Sequence, residues 1–158
     1  MINIDAHNHV KGKSIYLDDI QEMKGTLYAL PFDATVAHAK IKSIDLHKAL
    51  QRKGIVTILT AKDIPGENQI GGIIPDEPLF ADGEVHFRGQ VIALIIGTSE
   101  HHCRQAAKLI HVEFEELPVI TDAREAQQQN KLIIPPRTFT LGNTADAWSQ
   151  CEHIFEGR

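Results

Sequence analysis

Cysteine is scarce in this chain of 158 residues: Cys103 and Cys151 are its only two. They lie far apart and belong to no CxxC pair. A four-thiolate zinc or iron–sulfur centre within the chain is therefore excluded, and two reduced, structural thiols fit a cytosolic protein. Basic charge is short as well. Lys and Arg number 16 against 21 Asp and Glu, for a formal net charge of −5. No basic patch of the kind a nucleic-acid binder carries is visible. The densest basic stretch, residues 40–53, alternates with apolar side chains as a solvated face does. No apolar run approaches the ~18 residues a membrane span needs. The first ten residues carry Asp5 and several polar side chains, unlike a signal peptide. The expected location is the cytoplasm, with neither nucleic acid nor membrane as partner. P-loop, GxGxxG and nucleophile-elbow patterns are missing too. Gly66, Gly71 and Gly72 precede no helix start, so they are turn glycines rather than a phosphate cradle.

What the chain does contain is an α+β pattern. Residues 1–24 show little periodicity and are expected to form an extended arm. A core over 25–122 follows, then a C-terminal extension over 123–158. Thr26 to Phe32 is an expected strand. Ala39 to Leu46 alternates in two phases, and one strand with a bulge near Lys42-Ser43 keeps its apolar residues on one face. A short helix over Leu46 to Arg52 closes at Gly54, and Ile55 to Thr60 is a buried strand. Ala61 to Gly83 is a long loop full of turn signals, a length that often carries function. Val85 to Arg88 and Val91 to Ile96 are expected to pair as a hairpin or a bulged strand. Ser99 caps a helix whose Cys103, Ala106, Ala107 and Ile110 form one apolar face. This places Cys103 between helix and sheet. His111 to Leu117 turns Val112 and Phe114 inward. Asp122 caps a short helix through Gln129, Pro135-Pro136 marks a boundary, and Asn143 to Gln150 is a last helix. Ile154 to Arg158 starts an extended segment without a terminal cap, as expected for a fragment cut at a domain edge.

Few residues offer chemistry. His7 and His9 form an HxH, which on a strand turns both imidazoles to one side, as metal-dependent amidohydrolases require. Such a barrel needs ~200 residues or more, so a polar arm is the simpler account. His101-His102 point about 100° apart on a helix and do not chelate. Asp18-Asp19 are paired only in sequence, and Glu115-Glu116 face opposite sides of a strand. Catalytic residues, cofactor-binding residues and metal ligands are all expected to be absent from this chain.

Six segments, in order over residues 9–122, resemble one family. His9-Val10-Lys11-Gly12-Lys13-Ser14-Ile15-Tyr16-Leu17-Asp18-Asp19-Ile20 is similar to the H-V-x-G-x-A-x-Y-x-D-D-I opening of the molybdenum-binding chain in the xanthine dehydrogenase and aldehyde oxidase family. Residues 37–45 resemble its A-H-A-x-I-x-x-I-D strand, and residues 62–68 its D-I-P-G-x-N loop. Residues 76–81 and 85–93 resemble D-E-P-L-x-A and V-x-x-x-G-Q-P-V-A, and residues 113–118 resemble V-x-Y-E-E-L-P. Ser14 and Val91 depart from the usual Ala and Pro. The loop spacing is nearest to the xanthine dehydrogenase branch.

The resemblance implies an α/β hammerhead: a mixed sheet with a packed helix and a long loop. It implies a structural and interface module of a molybdenum hydroxylase, one that oxidatively hydroxylates purine-type rings. The fragment itself would bind no cofactor and catalyse nothing. The complete enzyme would use molybdopterin, with [2Fe-2S] centres and FAD on other domains or subunits. Its partners would be the remainder of the molybdenum-binding chain and those iron–sulfur and flavin parts. Ile73 and Ile74, at the middle of the long loop, would line the funnel to the molybdenum site. Two other readings stay open: a fragment of a metal-dependent hydrolase using His7 and His9, and a stand-alone protein-binding domain that recruits its partner through the loop.

Overall fold

A computed structural model describes residues 4–157 of the chain. By contacts the chain divides into two compact units, with the boundary between Val119 and Ile120. The first unit holds two three-stranded antiparallel sheets. One has the order β1 (Tyr28–Asp33), β5 (Val91–Gly97), β3 (Ile55–Thr60). The other has the order β4 (Glu84–Val85), β2 (Ala39–Asp45), β6 (His111–Glu116).

β5 organises this unit. Its sequence Val-Ile-Ala-Leu-Ile-Ile-Gly is apolar on both faces, which only a strand covered on both sides tolerates. Ala93 and Ile95 enter one core cluster, beneath helix α3 (Glu100–Ala107), together with Ile58, Cys103 and Ala106. Ile92, from the opposite face, enters a second cluster with Ala34, Ala81 and Val85. Alternation along one strand thus feeds two cores. β1 lies at the edge of its sheet, so Pro31, which has no N–H to donate, is tolerated there.

Helix α3 starts at Ser99, whose hydroxyl accepts from the His102 amide at 3.2 Å. It rests closely on the end of β5. A Cβ at Gly97 would lie 2.8 Å from Cys103 Sγ and 2.9 Å from the Gly54 carbonyl oxygen. Cys103 is fully buried at this contact, as the apolar stripe predicts. Gly54 has φ +91°, and a Cβ there would meet the His102 ring, so glycine is needed twice over.

The bulge in β2 is present. Pairing with β6 shifts register between Ile41 and Ser43, and Ala39, Ile41 and Ile44 all turn inward. Val112 and Phe114 face the core from β6 as expected. Helix α2 (His47–Leu50) is shorter than the expected Leu46 to Arg52, and Gly54 lies beyond its end rather than at it. Two expectations are overturned. Residues 85–88 and 91–96 do not form a hairpin, because β4 pairs with β2 in one sheet and β5 with β1 and β3 in the other. The Phe87–Gln90 turn carries the chain between sheets, closed by the Gln90 amide donating to the Phe87 carbonyl. The arm is not wholly extended either. Residues Ala6–Val10 form helix α1, and Leu17–Asp19 form a 3-10 turn.

The second unit carries helices α4 (Ala123–Gln128) and α5 (Thr144–Ser149). Asp122 accepts from the amides of Arg124 and Glu125, and Asn143 from that of Asp146, so both expected caps are in place. No residue of either helix is buried. Of the extended segment expected over Ile154 to Arg158, residues 154–157 carry no strand, and Arg158 lies outside the described residues.

Candidate functional site

Two features of the first unit are candidates for a site: the 61–83 loop and a histidine–carboxylate cluster at its foot. The loop is held by its own side chains. Asn68 mimics a strand partner, donating from Nδ2 to the Phe80 carbonyl at 2.7 Å and accepting the Phe80 amide at Oδ1, 2.9 Å away. The Ile70 amide donates to the Glu77 carbonyl at 2.8 Å. Gln69 Oε1 accepts from the amides of Gly71 and Glu77. These bonds close a neck below the segment 71–76, the arrangement of an Ω-loop. At Gly71 a Cβ would collide with the Ile74 carbonyl oxygen, 2.1 Å away, so only glycine allows this tip. Ile73 stands 93% exposed at the tip, while Ile74 is half-buried.

The loop leads directly into Glu84. Glu84 and His86 lie two apart on the extended segment around β4, and both point away from buried Val85. His38 immediately precedes β2, where Ala39 pairs with Val85. Continuing that register sets His38 opposite His86 on the same outward face. The rings stand 6.2 Å apart and tilt 28° from parallel. His38 Nε2 lies 2.9 Å from Glu84 Oε1, and His86 Nδ1 lies 3.7 Å from the same oxygen. His38 Nδ1 lies 2.7 Å from the Pro118 carbonyl oxygen, just beyond β6. The Glu84 carboxyl is held below its ordinary range, first by the His38 hydrogen bond, with His86 and Lys40 adding to it against partial desolvation.

The backbone around the cluster is fixed. Gln90, the buried polar residue of this unit, accepts the His86 amide at 2.8 Å. The Leu117 amide donates to the His38 carbonyl at 2.9 Å, and the Ile41 amide to the Gly83 carbonyl at 2.9 Å. Sequence reasoning missed this cluster because 46 positions separate His38 from Glu84. The available signal was Glu84-Val85-His86, two potential ligands flanking an inward valine.

The candidates from sequence fare differently. His7 and His9 lie on helix α1, not on a strand, so they point about 200° apart and cannot share an ion. His9 is instead engaged locally, by Ser14 at 2.7 Å and Tyr16 at 3.1 Å. This corrects the metal-hydrolase reading at its root. A shallow groove of about 360 Å³ runs along Ile41–Ile44 and the 60–62 and 81–83 segments. No nucleophile–base pair lines it. Every buried side-chain nitrogen and oxygen among the described residues already has a partner. No helix among the described residues is long and apolar enough to cross a membrane.

Comparison with known proteins places the chain. The pattern of the family described as "Aldehyde oxidase and xanthine dehydrogenase, a/b hammerhead domain" matches residues 11–118. The chain belongs to this family. Among relatives of this hammerhead domain is the xanthine dehydrogenase/oxidase of Gallus gallus, 36% identical over 157 residues, 99% of this chain but 12% of that protein. The aldehyde oxidase 2 of Cavia porcellus is 32% identical over 158 residues, again 99% of the chain and 12% of the relative. Among solved structures, quinoline 2-oxidoreductase from Pseudomonas putida 86 superposes with a TM-score of 0.72 at 27% identity. That match covers 81% of this chain and 17% of that one. The aldehyde oxidoreductase of Desulfovibrio gigas gives 0.66 at 36% identity, over 73% of this chain and 14% of that one. The chain thus spans about an eighth of the length of the curated relatives it matches.

Proposed function

We propose that this hammerhead domain is a structural and interface module of a cytoplasmic molybdenum hydroxylase of the xanthine dehydrogenase type, and has no catalysis of its own. The observation that carries this reading is apolar surface without a cover. On the arm, Val10, Ile15, Leu17 and Met23 are each more than three-quarters exposed. In the second unit Ile133, Phe139, Leu141 and Phe155 stand equally open. Scattered apolar side chains are ordinary on a surface, but runs of them over whole segments mark contact with other protein.

On this reading the remainder of a molybdenum-binding chain supplies the molybdopterin site, and iron–sulfur and flavin parts carry electrons away. The substrate class is a purine-type ring, hydroxylated oxidatively. Ile73 and Ile74 line the route by which the ring enters, supplying apolar contact and excluding water. The rigid neck at Asn68 and the glycine at 71 suit a loop that must present a side chain at a set place.

The test is to purify the longest natural protein that contains this chain and assay it. Stoichiometric molybdenum, flavin and iron, with oxidation of hypoxanthine or xanthine, is the expected result. A longer protein that holds no molybdenum under conditions that load a known xanthine dehydrogenase would overturn the reading.

A further inference from the structure

The geometry points to a Zn²⁺ site on the hammerhead domain, formed by His38, Glu84 and His86, that ties the foot of the 61–83 loop to the ends of β2 and β6. The argument starts from His38. Its Nδ1 faces the Pro118 carbonyl oxygen at 2.7 Å, and a carbonyl oxygen can only accept, so Nδ1 carries a proton. A neutral ring would then present the bare lone pair of Nε2 to a carboxylate oxygen 2.9 Å away. Two acceptors do not rest at that distance. That distance calls for a proton shared between them or for a metal ion.

The rest of the cluster suits the metal. A backbone carbonyl holding the far nitrogen of a histidine is the usual outer support of a metal-bound imidazole, because it fixes the tautomer and the ring plane. His86 brings a second imidazole nitrogen toward the same carboxylate oxygen, 3.7 Å from it. The three potential ligand atoms all lie within 4.8 Å of one another. Ligands at the usual ~2.0–2.2 Å from tetrahedral zinc stand roughly 3.3 Å apart, so small side-chain rotations suffice. Two imidazoles and one carboxylate select Zn²⁺ over Mg²⁺ or Ca²⁺, which take mostly oxygen ligands.

The backbone of the site is already ordered. Gln90 holds the His86 amide and Leu117 donates to the His38 carbonyl, so binding need not organise the chain. Lys40, paired in register with Glu84, is the charge that opposes a cation here. The His86 ring is exposed, which leaves room for water as a fourth ligand. The site uses none of residues 71–76, so its test is separate from that of the proposed substrate route. Its role would be to clamp: Gly83 and Glu84 close the loop, His38 opens β2, and Pro118 follows β6.

The experiment uses the chain with Zn²⁺ alone by titration calorimetry, and Co²⁺ alone as a visible-absorption probe of ligand geometry. One Zn²⁺ per chain, a raised Tm, and the intense bands of tetrahedral Co²⁺ are expected. Glu84→Gln and His86→Ala, both at partly open positions, should each weaken binding by at least about tenfold while leaving the circular dichroism unchanged. A His7→Ala/His9→Ala double variant should bind as the parent does. Absence of binding at micromolar Zn²⁺ would overturn the proposal. So would binding that survives both Glu84→Gln and His86→Ala.

Discussion

Cys103 is the residue whose surroundings say most about packing. Its sulfur lies between α3 and Gly97, so close that a Cβ at Gly97 would stand 2.8 Å from it, and it makes a weak contact with the Tyr28 carbonyl at 3.6 Å. Burial pushes the thiol pKa up, with Glu100 adding to the shift, so the reactive thiolate is scarce at neutral pH. Cys151 is exposed and serves as an internal reference. A thiol reagent should label Cys151 quickly and Cys103 only as the protein unfolds. Two equally fast thiols would contradict the burial. Cys103→Asp should destabilise the chain by about 3 kcal/mol, since an unpaired charge would sit in an apolar contact. Urea denaturation of the variant against its parent measures this.

Asn68 is the residue on which the loop depends. Its carboxamide makes a donor and an acceptor bond to one backbone residue, Phe80, in a half-buried place. Asn68→Ala leaves that amide and that carbonyl without their partner, a cost of about 1–3 kcal/mol. Hydrogen exchange should rise in residues 69–80 and stay unchanged in β5. Uniform loss of protection across the domain would mean that Asn68 supports the core rather than the loop.

At the scale of elements, the loop is a presented tip on a closed neck. In the complete enzyme, Ile73→Ala with Ile74→Ala should raise KM for the ring substrate and leave kcat nearly intact, the pattern of lost uniform binding. Unchanged KM, or a fall in kcat at constant KM, would give the loop a different job. The strands were largely legible in the sequence because period-2 alternation survives in β2 and β6, bulge included. The capped helices were legible because Ser99, Asp122 and Asn143 each stand where an N-cap belongs. The Val85–Val91 stretch misled for a physical reason. A glycine turn between two apolar runs is the local signature of a hairpin, and local signals do not show that the two runs enter different sheets. The arm misled in the opposite way. Ala6–Val10 is too short to display a helical period, so its helix α1 left no trace in the pattern.

At the scale of the whole molecule, the first unit has two core clusters and the second has open apolar side chains around two short helices. Every buried side-chain nitrogen and oxygen among the described residues has a partner. The chain by itself should therefore purify without molybdenum and leave hypoxanthine and xanthine unchanged, by metal analysis and by ultraviolet assay. Stoichiometric molybdenum on the chain alone would overturn this expectation.

The sequence alone determined most of the strands, the caps, the buried thiol and, through six ordered segments, the family. All of these are carried by near neighbours in the chain or by motifs read in order. Tertiary structure decided the rest: the division of residues 84–97 between two sheets, the stapling of the loop by Asn68, and the meeting of His38 with Glu84 and His86. Each joins groups through strand pairing or loop closure, and their separation, 12 positions for Asn68 and Phe80 and 46 for His38 and Glu84, leaves no periodicity to read.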